Sequence, residues 1–369
     1  METIVINIIL GISLFFTLVV VVNFFTAPVI REMRFEDEHL PEVTVLIPAR
    51  NEESVIKNCI ESVMSQTYGN FSVIVLDDNS DDNTGNILKS MDTRHKKLRI
   101  IKGKALPVSW VGKNWACHQL AREAPGQMLL FIDADCFLET GALESAVAYM
   151  KKYGLSLLSS FPTQVMRTFS ELLVVPSMNW LLLTFLPLRM VYLSSWLSFV
   201  AANGQFMLFQ RNAYEEIGGH ERIASEVVED MEFARLIKRK GLRMMTALGG
   251  KLVFCRMYDS LDDSINGFSK NFYPGFKMPA IAFLFLLLFF TLIFIAPFFF
   301  TVFDLSFAWC VLLILIQRFL ISLICRQNFL FNMIFHPVQM FIMIYVGIKS
   351  IWQSKNKGYR WKGRWISQN

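Results

Sequence analysis

Apolar and polar positions divide the chain into three regions. Residues 4–26 and 280–350 are dense in apolar side chains, and the stretch between them has an ordinary globular pattern. Ile4 to Thr26 carries no charge over 23 residues. As a helix it reaches about 34 Å, enough to cross a bilayer core of about 30 Å. It lacks the basic start and small-residue cleavage site of a secretory signal, so it reads as an uncleaved anchor. Ala280 to Phe303 is also uncharged and long enough to span. Phe307 to Cys325 is interrupted by Gln317 and Arg318, and Phe329 to Ile348 by His336 and Pro337. The tail from Lys349 to Asn369 has six basic residues and no acid, and Arg31 and Arg34 follow the first segment. Both features favour the cytoplasm. A cytoplasmic middle region and tail require that two of the three late segments span and one lies in the interface.

The middle region alternates strand and helix patterns. Val43–Ile47, Phe71–Leu76, Leu98–Ile101 and Met128–Ile132 read as strands, and Glu52–Ser65 has helical spacing. A further helix opens at Val227-Val228-Glu229-Asp230, with acids first and Lys238-Arg239-Lys240 last, before Gly241 stops it. Alternating strands and helices predict an α/β domain with a mainly parallel sheet. Four units follow: an anchor over 1–30, the α/β domain over 31–275, membrane segments over 276–350 and a basic-aromatic tail over 351–369.

Composition sharpens this division. The chain has 369 residues, 53% hydrophobic and 18% charged, with 34 Phe and a mean hydropathy of +0.40. These values exclude a disordered or wholly soluble acidic protein. The net charge of +5 is too mild to indicate a nucleic-acid partner. Six cysteines show no CxxC spacing, which argues against a zinc or disulfide framework and for buried free thiols.

In such sheets ligands bind beyond the carboxyl ends of the strands. Three polar clusters fall there: Arg50-Asn51-Glu52, Asp77-Asp78-Asn79-Ser80 and Asp133-Ala134-Asp135. Strand alternation would put Asp133 and Asp135 on one side of the chain. Two hard oxygen ligands beside a diphosphate suit magnesium or manganese, although a lone pair of this kind also suits a solvated turn. Glu229 and Asp230 equally suit a helix N-terminus. The small residues around Asn203-Gly204-Gln205 and Gly218-Gly219-His220 would let a substrate approach the backbone.

The run Ile47-Pro48-Ala49-Arg50-Asn51-Glu52, then Asp77-Asp78, Asp133-Ala134-Asp135 and Glu229-Asp230, resembles glycosyltransferase family 2 with its GT-A fold, over about residues 42–275. Trp110 to Cys117, the anchor, His336-Pro337 and the Trp361-Lys362-Gly363-Arg364 tail narrow the resemblance. They point to carotenoid glycosyltransferases of the 4,4'-diaponeurosporenoate type, with ceramide and hopanoid-lipid glycosyltransferases more distant.

The resemblance implies a divalent cation (Mg or Mn), a UDP-sugar donor, inverting transfer and a carotenoid or other lipid acceptor. By position, Ala49, Glu52 and Asp78 would hold the uridine, and Lys113 would meet the diphosphate. Asp133 and Asp135 would carry ribose and metal contacts, with Asp135 the better metal ligand. Asp230 would be the general base, with Glu229 beside it. Lys270 would meet a phosphate or serve as an interfacial charge. Trp361 and Arg364 would fold back to the site or lie on headgroups. The stretch Gly267-Phe268-Ser269-Lys270-Asn271 departs from the motif of polymer-making members, which argues against a processive synthase. Sugar transfer to polyprenyl phosphate, or a non-enzymatic membrane scaffold, are the alternatives. The expected location is the cell membrane, multi-pass, with the catalytic domain in the cytoplasm.

Overall fold

The computed structural model describes residues 2–35, 39–92, 96–355, 359–361 and 364–366. Its strands are β1 Val43–Ala49, β2 Phe71–Asp77, β3 Leu98–Lys102, β4 Met128–Ile132, β5 Cys136–Leu138, β6 Leu157–Phe161, β7 Thr163–Gln164, β8 Phe206–Gln210, β9 Met244–Leu248 and β10 Val253–Cys255. Seven of them form one sheet in the order β3-β2-β1-β4-β8-β6-β9. Only β8 runs antiparallel to its neighbours in that sheet. The central strands are mostly apolar and buried on both faces, as a helix-covered sheet requires, whereas the edge strand β3 is partly exposed. A second sheet, β5-β10-β7, lies beside it.

The four strands read from the pattern are present, with small changes at their ends. β1 continues to Ala49, which pairs with Asp77 of β2. The helix expected from Glu52 starts only at Ile56. The Glu52 carbonyl accepts from the Val55 and Ile56 amides, which makes a turn of that first stretch. The second helix begins at Glu229 and ends at Arg239.

Three helical stretches are long and apolar enough to cross a membrane: Thr3–Thr26, Ala280–Phe300 and Leu305–Ile324. Two of the three late segments therefore have the length and composition of a span. The polar interruptions turn inward. Gln317 Nε2 donates to Ser13 O at 3.2 Å and to Thr17 Oγ1 at 2.9 Å, joining the first and last of these helices. Arg318, His336 and Gln339 are buried as well. The helix His336–Lys355 instead packs against Leu261–Phe276, where Ser269 Oγ donates to Gln353 Oε1 at 2.9 Å and Lys349 Nζ to Asn266 Oδ1 at 2.7 Å.

One asparagine fixes the α/β domain to the first helix. Asn23 Nδ2 donates to the carbonyls of Leu183 and Leu186 at 2.7 and 2.8 Å, and Asn23 Oδ1 accepts from the Leu188 amide at 2.7 Å. Its side chain is buried, so losing it strands three backbone groups away from water. Asn23→Ala is expected to cost about 2–4 kcal/mol and lower the thermal midpoint of the detergent-solubilised protein by several degrees. Thr26→Ala is the control. That exposed hydroxyl bonds only within its own helix, and its loss should leave the midpoint in place.

Candidate active site

The carboxyl ends of β1, β2 and β4 meet in one edge, and two interlocked loops shape it. Arg50 Nη1 donates to the carbonyls of Asp78 and Asn79 at 2.6 and 2.7 Å. Asn51 and Asn79 both sit at positive φ, 53° and 54°. Asparagine tolerates this backbone conformation better than most residues. Asn51 Oδ1 accepts from the Asp81 amide, and the Asn51 amide donates to Ser80 Oγ. Ala49 and Asp78 are buried at this edge, with the Asp78 amide bonded to Ala49 O at 2.8 Å. The Glu52 amide is held by Thr84 Oγ1 at 2.8 Å. The three expected uridine residues thus share one rim.

Lys113 stands at the centre of the acidic part. It lies in the first turn of the helix Gly112–Glu123. Its ammonium contacts Asp133 Oδ1 at 2.8 Å and Oδ2 at 3.0 Å, and Glu229 Oε1 at 2.9 Å. Burial opposes the Lys113 charge, but Asp133 and then Glu229 outweigh it and hold its pKa well above the ordinary lysine value. The neighbouring Asn114 places Glu229. Its Nδ2 donates to the carbonyls of Ile223, Ala224 and Glu226, which fastens the loop before the Glu229 helix to the Lys113 helix.

The pKa values of Glu229 and Asp230 shift in opposite directions. Burial raises the Glu229 pKa, but Lys113 outweighs it and the group ends below the usual glutamate value. Asp230 is pushed up to about 7, first by burial and then by the Glu229 charge. Two amides hold it in place: Gly204 N–H donates to Oδ2 at 2.9 Å and Met231 N–H to Oδ1 at 2.7 Å. Two adjacent carboxylates with opposed shifts are a common arrangement for acid–base work.

The Asp133-Ala134-Asp135 stretch departs from the strand reading. β4 ends at Ile132, and the following residues turn, with Cys136 N–H bonded back to Asp133 O at 3.1 Å. Asp133 goes to Lys113, whereas the Asp135 carboxylate lies beside the thiols of Cys136 and Cys255. Both charges nonetheless reach the same buried thiols, those of Cys59, Cys136 and Cys255. The Asp135 carboxylate offers oxygen ligands of the kind a hard cation takes.

The remaining expected residues divide. Lys270 comes to the site from the helix Leu261–Phe276; burial lowers its pKa, opposed first by the Glu229 charge. Trp361 and Arg364 pair across an antiparallel hairpin, and their side chains lie outside the described residues. The Gly218-Gly219 pair does not open the backbone to a substrate. A Cβ on Gly219 would lie 2.8 Å from the Tyr214 ring, and His220 is buried against Tyr214 Oη at 2.7 Å. That pair is needed for packing.

Gly204 serves the site itself, since a Cβ there would lie 2.9 Å from Glu229 Oε1 and 3.1 Å from Lys113 Nζ. Its importance, and that of Asn114 and Cys255, depends on contacts far apart in sequence.

A parallel sheet with acids along its carboxyl edge, one antiparallel strand and a smaller sheet beside it is a GT-A type of domain. Residues 44–218, a little under half of the chain, match the family model for glycosyl transferase family 2. The chain is 26% identical over 249 residues to a 4,4'-diaponeurosporenoate glycosyltransferase of Staphylococcus haemolyticus, covering 65% of this chain and 63% of that one. It is 28% identical over 244 residues to the enzyme of the same name from Staphylococcus aureus, covering 63% and 61%. The matches span less than two thirds of those relatives. A mannosyltransferase from Pyrobaculum calidifontis, solved with GDP-Man and Mn2+, shares the fold at a TM-score of 0.53 and 16% identity, over 94% of this chain and 99% of that one.

Removing Lys113 tests the electrostatics. Its raised pKa stabilises the fold below the unfolded lysine value, and the depressed Glu229 pKa does so above the unfolded glutamate value near 4.3. The contribution therefore fills the window from about pH 5 to 10 and fades as Glu229 protonates. Lys113→Met should cost about 1–3 kcal/mol at pH 7.5, discounted for partial exposure, and much less at pH 4, read from thermal midpoints at both values.

Proposed function

We propose that this protein transfers a sugar from a UDP-sugar to a hydrophobic membrane acceptor, with inversion and with help from a divalent cation. The observation that carries the reading is the convergence of Asp133 and Glu229 on Lys113, with Asp230 next to Glu229 and held by the Gly204 amide, in a domain joined to helices long enough to cross a bilayer. The names of the relatives, which act on 4,4'-diaponeurosporenoate, support a carotenoid-type acceptor.

The nucleotide lies along the rim of Ala49, Glu52 and Asp78, with Asp133 near the ribose. Asp135 would hold the cation, which would supply positive charge beside the leaving diphosphate. Lys113 faces the same diphosphate. Asp230 takes the proton from the acceptor hydroxyl as its oxygen attacks the anomeric carbon. The bond from that carbon to the diphosphate breaks on the opposite face, and UDP leaves with the electron pair. Glu229 stays ionised and keeps the Asp230 pKa raised, which makes Asp230 a stronger base. Lys270 adds a cation near Glu229, a feature that would suit a phosphate-bearing acceptor such as a polyprenyl phosphate. With two late spans, the domain and the helix ending at Lys355 lie on one side of the membrane, the cytoplasmic side where nucleotide sugars are made.

Purified full-length protein in detergent, given Mn2+, a panel of UDP-sugars and membrane lipid, should release UDP in a metal-dependent, lipid-stimulated way. Asp135→Ala should release almost none. Absence of both release and UDP binding would overturn the nucleotide reading.

Because Asp230 acts as the carboxylate and its pKa is raised to about 7, kcat/KM should climb as pH rises through about 7. Asp230→Asn should flatten that limb. With a hydroxyl acceptor the same variant should lose about 10²–10⁴-fold in turnover. A carboxylic acid acceptor is already ionised at neutral pH and should lose little. Identifying the labelled product by mass spectrometry decides which applies.

A further inference from the structure

Among the described residues, one cluster combines ligand types that the reaction above does not use together. Cys136 on β5 and Cys255 on β10 are direct partners across an antiparallel pair. Their sulfurs and an Asp135 carboxylate oxygen all lie within 4.8 Å of one another, with Cys136 Sγ 3.7 Å from Asp135 Oδ1. Both thiols are buried and free. Gln205 fixes their positions: its Nε2 donates to Cys255 Sγ at 2.9 Å and its carbonyl accepts from Cys136 Sγ at 3.4 Å.

This geometry is nearly that of a tetrahedral thiolate site. With metal–sulfur bonds of about 2.3 Å and metal–oxygen bonds of about 2.0–2.2 Å, ligand atoms stand about 3.5–3.8 Å apart. A contraction of at most about 1 Å at the sulfurs would complete three corners. The fourth corner would be left for water or a donor oxygen. Thiolates favour soft or borderline ions, and neither Mg2+ nor Mn2+ is one.

We infer that Asp135, Cys136 and Cys255 form a binding site for a thiophilic divalent cation such as Zn2+ or Cd2+, and that its occupation excludes Mn2+ from Asp135. Binding forms two metal–sulfur bonds and one metal–oxygen bond and releases two thiol protons to solvent. The cation stays divalent, so no oxidant or reductant takes part. The exclusion of Mn2+ rests on the proposed role of Asp135, whereas the thiolate site itself does not. Zn2+ would then act as an inhibitor competitive with Mn2+, through the two thiols beside Asp135.

The test is a Cd2+ titration of the full-length, detergent-solubilised protein, read by the ultraviolet charge-transfer absorbance of cadmium–thiolate bonds. One Cd2+ per chain should saturate the band. In the Cys136→Ser/Cys255→Ser protein the band should vanish and Cd2+ affinity should fall by more than about ten-fold. Where that variant fails to fold, cadmium-edge X-ray absorption on the wild-type chain counts sulfur neighbours directly, and two are expected. Mn2+ binding, followed by electron paramagnetic resonance, should be reversed by stoichiometric Cd2+ in the wild type. A wild type with no band, no sulfur neighbours, or a band unchanged in the folded double variant overturns the inference. UDP release with Mn2+ but no thiolate band would sink this site alone. A band without any UDP release would sink the transfer reading and leave the site standing.

Discussion

The site is organised around a single ammonium shared by two acids. Lys113 lies between Asp133 and Glu229, and its contacts of 2.8 and 2.9 Å set the distance between β4 and the helix Glu229–Arg239. One positive charge cannot fully compensate the acids around it. Asp230, next to Glu229, absorbs the excess through a raised pKa. An unbalanced buried acid would be expensive in a structural core, and here two backbone amides hold it in place. Gly204 belongs to the same constraint, because its missing side chain is the room that Glu229 and Lys113 occupy.

Around this centre the rim is built mainly from backbone geometry. Two asparagines at positive φ reverse the chain after β1 and β2, and Arg50 ties the second loop to the first through carbonyl oxygens. A guanidinium used this way stiffens a polar edge, and Arg50 Nη2 also pairs with Asp81 Oδ2 at 3.2 Å.

The sheet was legible from short apolar runs because a parallel sheet buried on both faces leaves its strands continuously hydrophobic. Met128–Ile132 was readable for that reason, as was the acidic edge that follows. The limits lay where distant segments meet. Nothing near Asp135 in sequence announces Cys255, which arrives on β10. Asn114 looked like any helix residue until its amide was found on carbonyls more than a hundred positions away. Gly218-Gly219 misled in the opposite direction: a flexible pair suggested an approach for substrate, but it is filled by Tyr214. In the membrane part, Gln317 and Arg318 resembled interruptions because their partners are hundreds of residues away or on other helices.

The bond from Gln317 to Ser13 and Thr17 spans about three hundred positions, which has a consequence for biosynthesis. At about 5–20 residues per second, the ribosome needs roughly 15–60 s to make the late helix after the first has emerged. The first helix forms without its partner and waits while the whole α/β domain is made. Thr17 is equipped for that interval, since its hydroxyl already donates to Ser13 O within the same helix at 2.8 Å. When Gln317 arrives it adds a donor to Thr17 Oγ1, an oxygen that still has lone pairs to offer. The helix bundle can thus close last, around a domain that has already folded, with no hydrogen bond broken to admit the newcomer.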